Sequence, residues 1–480
     1  VNEPLHFRSA RDIAAAVRAG ELSAREVVQA HLDQIDRLNP HVNAIVTLVA
    51  DRALEQARAA DEHFAHGGEV GPLHGVPIAH KDTHATAGIR TTSGSPILRE
   101  RVPKRDELIV ERLRSAGAIT LGKTNVPEFS AGAHTFNPLF GPTRNPHDLT
   151  RTPGGSSGGG AAALACGMHS LADGSDMGGS LRYPAAFCNV VGLRPSPGQV
   201  PSRSKFGWDR LTVHGPMARS VSDVAFMMSV ITGADPRSPL SAYAPRQDFD
   251  KPLERDLRGL RVAWSTDFGG ALPVEPEAAA TVRDGAAVFD RLGCEVVQDC
   301  PDFSGTDEIF GVLRAWSLEL SLGRFLDNHR EDIKDSLAHN IDEGRRLSGP
   351  ELGRAMAGYT RLHHAMRTFF DDYDVLVLPV SQVPPFDLAL EYPRQIAGVR
   401  QESYLDWMRS CTWVSATGLP ALSVPGGFTD GGLPMGLQLV GPYQSDFELL
   451  RIGYAFEQAT GFGQRRADFV TEREVSLSAV

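Results

Sequence analysis

The chain has 480 residues, 41% of them hydrophobic and 22% charged, with a formal net charge of −11. That length supports a large buried core, and the composition is that of a globular protein rather than a disordered or fibrous one. The modest acidity, with no Lys/Arg run beyond "GQRR" near Arg465, argues against nucleic acid or an anionic membrane as main partner, and no apolar run approaches the ~18 residues of a membrane span.

The first 65 residues read as helices. In "LSAREVVQAHLDQIDRLNP", Ser23 stands three before Glu26 as a capping box. Val27, Val28, His31, Leu32, Ile35 and Leu38 follow at helical spacing, and Asn39-Pro40 is the expected stop. His31 on that stripe is expected to be packed or half-exposed, not a ligand. Past Gly71, "GVPIA" and "AITLGKTN" read as strands on either side of a helix, "DELIVERLRSAG", that Gly117 closes. Strands at Leu260, "CEVVQD", "DYDVLVLPV" and "MGLQLVG" recur later, with a helix in "EPEAAATVRDGAAVFDRLG". A last helix begins at Ser445, with Glu448 completing a second predicted capping box. The alternation implies an α/β sheet. The stretch from Ser196 to Trp208, rich in Pro, Gly and Ser, is expected to be a loop over a site. Residues 304–364 are expected to form a helical cap.

The five cysteines, Cys166, Cys188, Cys294, Cys300 and Cys411, are scattered and form no CxxC pair. They are expected to be reduced, buried small residues. The opening "VNEPLHFRSARD" has no apolar signal-type run, and a cytoplasmic location is expected.

The chemistry concentrates in "RTPGGSSGGG", Arg151 to Gly160. Gly158, Gly160 and Ala163 fit a dinucleotide fingerprint, but no strand precedes them, and the G-K-[ST] of a phosphate loop is absent. No cofactor is expected. An Ala-rich helix follows at once, so the glycines sit at a helix N-terminus, where unpaired N–H groups and small residues let polar groups crowd together. Downstream, "GSDMGGSLRYPAAF" places Gly178-Gly179 directly before Ser180, consecutive backbone donors of the kind an oxyanion hole requires. A serine nucleophile needs a base. Lys81, at the end of the apolar strand "GVPIAHK", serves if burial keeps it neutral. His80 and His84 are four apart but follow a strand, which is poor metal-site geometry, and no metal is expected. Cys166 and Cys188 lie in apolar surroundings that disfavour a thiolate nucleophile.

Together "PLHGVPIAHKD", "GKTNVPEFSAG", "FGPTRNPHDLTRTPGGSSGGGAAALACG" and "GSDMGGSLRYPAAFCNVVGLRPSPGQV" resemble the amidase signature family. The strong likeness runs from 71 to 222, and a weaker one covers "DVLVLPV" and "TGLPALSVPGGFTDGGLPMGLQLVG". The resemblance implies one α/β domain over 1–480, with a large mixed sheet flanked by helices on both faces. It implies Ser180 as nucleophile, Ser156 as a proton relay on a cis peptide, and Lys81 as base. The backbone N–H groups of Met177, Gly178, Gly179 and Ser180 correspond to the oxyanion hole, and Ser157, Asp176 and Arg182 to supporting positions. Gly160 stands where the family often has Ser, and His80 where it often has an apolar residue. A role for His80 in lining the pocket or tuning Lys81 is left open.

The implied activity is hydrolysis of a carboxamide through an acyl-enzyme, with esters and carbamates also open. Tyr183 stands where the glutamine-using component of tRNA-dependent amidotransferases carries Gln, which tilts the expectation toward a stand-alone hydrolase. That glutaminase component, and an inactive member acting as a binding protein, are the alternatives. Phe129, Ala131, Gly132, Tyr183, Phe206, Trp208, Trp316, Trp407 and Trp413 are pocket candidates, implying an apolar or aryl small-molecule substrate. Base rates favour a homodimer.

Overall fold

The computed structural model describes residues 3–471; residues 1–2 and 472–480, the two ends of the expected unit, lie outside it. Helices α1 (Ala10–Arg18), α2 (Ala24–Val42) and α3 (Ala50–Ala65) account for the helical N-terminal stretch. The capping box of α2 forms as expected: Ser23 Oγ accepts the Glu26 N–H at 3.1 Å, and a Glu26 carboxylate oxygen accepts the Ser23 N–H at 2.8 Å. The expected stop at Asn39-Pro40 does not hold. The helix continues to buried Val42, whose packing outweighs the one hydrogen bond that Pro40 removes. Asn43, in the left-handed region at φ 54°, then ends the helix, and Asn39 Oδ1 accepts the N–H groups of Ala44 and Ile45.

A strand follows directly, where only helix was expected. β1 (Ile45–Leu48) pairs antiparallel with the third strand of a large sheet. The remaining strands are β2 (Pro77–Lys81), β3 (Ile119–Thr124), β4 (Leu171–Asp176), β5 (Val191–Arg194), β6 (Val213–Ala218), β7 (Arg261–Trp264), β8 (Glu295–Gln298) and β9 (Val375–Pro379). A two-residue hairpin, β10 (Gln395–Ile396) and β11 (Val399–Arg400), stands apart, and β12 (Ala421–Phe428) and β13 (Pro434–Val440) complete the set. The eleven-stranded order is β1-β3-β2-β4-β6-β5-β12-β13-β9-β7-β8. β2 runs parallel to β3 and β4, whereas β4, β6, β5, β12, β13 and β9 are successively antiparallel.

Alternate strand residues feed cores on opposite faces. Ile78, Leu171, Val377 and Leu437 pack with α1, α4 (Leu108–Ser115), α7 (Val221–Ile231), α8 (Pro276–Arg291) and α13 (Asp446–Thr460). Ala79, Leu121 and Ala172 pack with α3 and α5 (Gly158–Ala165), while Leu376 and Leu378 pack with α9 (Thr306–Asn328), α11 (Gly349–Phe369) and α12 (Arg409–Thr417). α6 (Arg182–Phe187) and α10 (Asp335–Arg346) complete the helices. The mixed sheet with helices on both faces is as expected. The capping box at the last helix is not: Ser445 Oγ donates to the Pro442 carbonyl at 2.7 Å, and Glu448 pairs with Arg255 and Arg451. His31 is packed as expected, its Nδ1 2.8 Å from the Val27 carbonyl. Among the described residues, no helix is long and apolar enough to cross a membrane.

Candidate active site

Because β2 and β4 are parallel neighbours, their C-terminal ends open at the same edge, the usual place for a site in such a sheet. Lys81 is the last residue of β2 and Asp176 the last of β4. Lys81 is fully buried. Its N–H donates to Asp173 Oδ1 at 2.7 Å, which pins the strand end. Its Nζ lies 2.8 Å from Ser156 Oγ, 3.0 Å from Ser175 Oγ and 3.5 Å from the Ser175 carbonyl. Burial pushes the ammonium pKa down to about 7, against the opposing pull of Asp176 and Asp173. Ser175 is a neighbour that sequence reasoning missed; its only signal is adjacency to Asp176.

Ser156 sits at the cis peptide Gly155–Ser156, as the family likeness implied. Of the glycines after it, Gly159 is required by contact with other backbone. A Cβ on Gly159 would lie 2.3 Å from the Asn125 nitrogen and 2.7 Å from the Ala44 carbonyl oxygen, so α5 can rest on the β1 and β3 region only without a side chain there. Ser157 stands directly before α5 without capping it through its side chain, and its N–H donates to the Ser180 carbonyl at 3.2 Å, tying the two serine segments together.

Ser156, Ser175 and Ser180 share one cavity of about 140 Å³, where Ser180 remains 7% exposed. Met177 and Gly178 line it as well. Among the described residues, the N–H groups of Met177, Gly178 and Ser180 have no hydrogen-bond acceptor. Gly179 departs from expectation. Its φ of +105° turns the N–H onto Asp176 Oδ1 at 2.9 Å, so that donor holds the turn instead of facing the cavity. A Cβ at Gly179 would lie 2.5 Å from the Tyr183 ring and 2.6 Å from Cys411 Cβ.

Asp176 organises this turn. It accepts from the N–H groups of Gly179 and Leu181, from Arg182 Nε and Nη2 at 3.0 and 2.8 Å, and from Arg194 Nη1 at 3.4 Å. The two guanidinium groups hold its carboxyl well below the usual carboxylate range. Arg182 reaches onward to Gln438 and Ser415. His80 points away from the nucleophile: its ring nitrogens lie 2.6 Å from Asp173 Oδ2 and 3.2 Å from Thr120 Oγ1. His84 also faces Asp173, at 3.3 Å. Burial holds the Cys166 and Cys188 thiols well above their ordinary range, as expected of inert cysteines, and Cys294 and Cys411 are buried too, whereas Cys300, just past the end of β8, is only half-buried.

The pocket candidates divide. Phe129, Ala131 and Gly132 line the cavity. Tyr183 does not: it is buried against Trp407 and Phe187, with its hydroxyl on Ser410 at 3.0 Å, because α6 turns that residue into the core. Trp407 belongs to the same core. Trp413 stacks on Phe303, and its Nε1 donates to Asp307 at 2.6 Å. Trp208 is 59% exposed beside Tyr243, and Trp316 packs edge-on against Phe206. The residues missed are Ser130, Thr212, Phe310, Arg314 and Leu318, with Tyr404 and Met408 from the segment before α12. Part of the irregular 196–208 loop, including Phe206, lines a second, more polar cavity of about 390 Å³. It shares Phe129, Met177, Thr212 and Leu318 with the first. Larger hollows of about 420 and 640 Å³ contain neither Lys81 nor the serines.

The family model described as Amidase matches residues 26–450. An acylamidase of Rhodococcus erythropolis is 36% identical over 96% of this chain and 97% of its own length. The A-type component of the glutamyl-tRNA(Gln) amidotransferase of Moorella thermoacetica is 37% identical over 97% of this chain and 99% of its own. The crystal structure of a bacterial aryl acylamidase of the amidase signature family superposes with a TM-score of 0.91 at 31% identity, covering 98% of this chain and 99% of that one. With the buried lysine and the two serine segments converging on one cavity, these likenesses lead to one conclusion: the chain belongs to the amidase signature family and is an amide-hydrolysing enzyme.

Proposed function

We propose that the enzyme hydrolyses N-acyl amides with apolar acyl or aryl groups through Lys81, Ser156 and Ser180. The observation that carries this reading is the 2.8 Å approach of buried Lys81 Nζ to Ser156 Oγ, in a cavity that also holds Ser180. Neutral Lys81 accepts the Ser156 hydroxyl proton as Ser156 takes that of Ser180. Ser180 Oγ then bonds to the amide carbon, and the N–H groups of Met177, Gly178 and Ser180 stabilise the oxyanion; each such donor is worth about 3 kcal/mol. The proton returns along the same path to the leaving nitrogen as the C–N bond breaks. Water, deprotonated by the same relay, then releases the acid and regenerates Ser180.

The lining by Phe129, Ala131, Phe310, Leu318 and Met408 supports an apolar substrate body. Tyr183 lends that choice no support, since its ring is in the core. The amidotransferase-component reading has its own support in the 37% identical relative. Against it, among the described residues that line the cavity there is no acidic side chain to receive the ammonium group of glutamine. A panel of acyl anilides against free glutamine separates the two. Aniline release with no ammonia from glutamine is expected; glutaminase activity without anilide cleavage would overturn the proposal.

A further inference from the structure

Arg314, on α9, is 6% exposed and lines the cavity that holds Ser156 and Ser180. Its Nη1 donates to Asn340 Oδ1 at 2.8 Å, and its Nη2 to the Tyr404 hydroxyl, which in turn donates to Asn340 Oδ1. Both acceptors are neutral. Among the described residues, no carboxylate lies within ion-pairing distance of Arg314. Glu343 is reached only through Asn340 Nδ2, at 2.9 Å. Glu391 and Glu128 act on a second, half-buried cation, Lys334, whose Nζ lies 5.8 Å from the Tyr404 ring centre; Arg314 lies 5.4 Å from the same centre. The contrast with Arg182 and Arg194 is direct, for both of those buried guanidinium groups share Asp176.

A buried guanidinium without a counter-ion is costly, and an anion brought by a ligand removes that cost. Resting on the amidase reading above, we infer that Arg314 is a specificity residue that pairs with a carboxylate carried by the amide substrate. The apolar walls would take the substrate's body and Arg314 its charged end, by the forked geometry that suits a carboxylate.

The test compares kcat/KM for matched amides: succinanilic acid against butyranilide, and para-acetamidobenzoate against acetanilide. The wild type is expected to favour the carboxylated member of at least one pair roughly 10- to 100-fold, the range of a charge-assisted hydrogen bond. Arg314→Met should bring that ratio to about 1, and Arg314→Lys should retain part of it. A role confined to holding Asn340 and Tyr404 in place would leave the ratio unmoved. Equal use of both members of each pair by the wild type, or an undiminished ratio in Arg314→Met, would overturn the inference. Titration calorimetry of the same amides on Ser180→Ala reads the preference without turnover. Tighter binding of the carboxylates there, with no hydrolysis of these anilides by the wild type, would overturn the proposed anilide-type substrate while supporting the carboxylate site at Arg314; equal binding would overturn the inference.

Discussion

Lys81 is held where its charge is least welcome, and its proposed role depends on that. With the pKa lowered to about 7 by burial, the neutral form that accepts a proton predominates above neutrality. The pH profile of kcat/KM should therefore rise through about pH 7 and level off on the alkaline side; an optimum near pH 5 would contradict a lysine base. Lys81→Ala should keep the fold, as judged by circular dichroism, and lose roughly 1,000-fold or more in kcat/KM. The same shift bears on stability. The ordinary lysine value is 10.5, so between about pH 7 and 10.5 the unfolded chain binds a proton that the folded chain does not. Stability from this group therefore rises with pH across that window. Lys81→Met should be more stable than the wild type below pH 7, with an advantage that shrinks toward pH 10. A denaturation midpoint difference that is constant with pH would contradict this.

At the scale of elements, the site exists because the ends of two parallel strands meet a helix that comes unusually close. Gly159 is the contact that permits it. Gly159→Ala drives a Cβ into the backbone of Asn125 and Ala44, and should cost about 3 kcal/mol in chemical denaturation. Elements of this kind are unevenly legible in the sequence. β2, β3, β9 and β13 stand out as apolar runs bounded by turn residues. β4, "LADGSD", does not, since its strand identity comes from pairing with β2 and β6 rather than from its own residues. β1 is hidden by its brevity between two helices. The candidate catalytic groups are legible because the family's motifs fix them in order. The pocket is not: residue type does not tell which way a ring faces, and Tyr183 and Trp413 belong to the core. Met408, Phe310 and Arg314 reach the cavity only through tertiary packing.

Across the whole molecule, Asp176 joins distant parts of the chain. Through Arg182 and Arg194 it connects the nucleophile turn to β5, α12 and β13. Asp176→Ala would leave two buried guanidinium groups without their shared carboxylate, and should cost about 3–5 kcal/mol in denaturant unfolding, with loss of activity in the remaining folded protein. A loss of activity at unchanged stability would contradict that structural role. The helices expected as a cap supply Phe310, Arg314 and Leu318 to the cavity from α9, a part of the chain remote in sequence from the serines.

The central claim is that Ser180 is an activated nucleophile, and intact mass after treatment with a fluorophosphonate tests it without knowledge of the substrate. One adduct on the wild type, lost in Ser180→Ala, is the predicted result. An adduct that persists in Ser180→Ala, or none on either protein, would contradict the account.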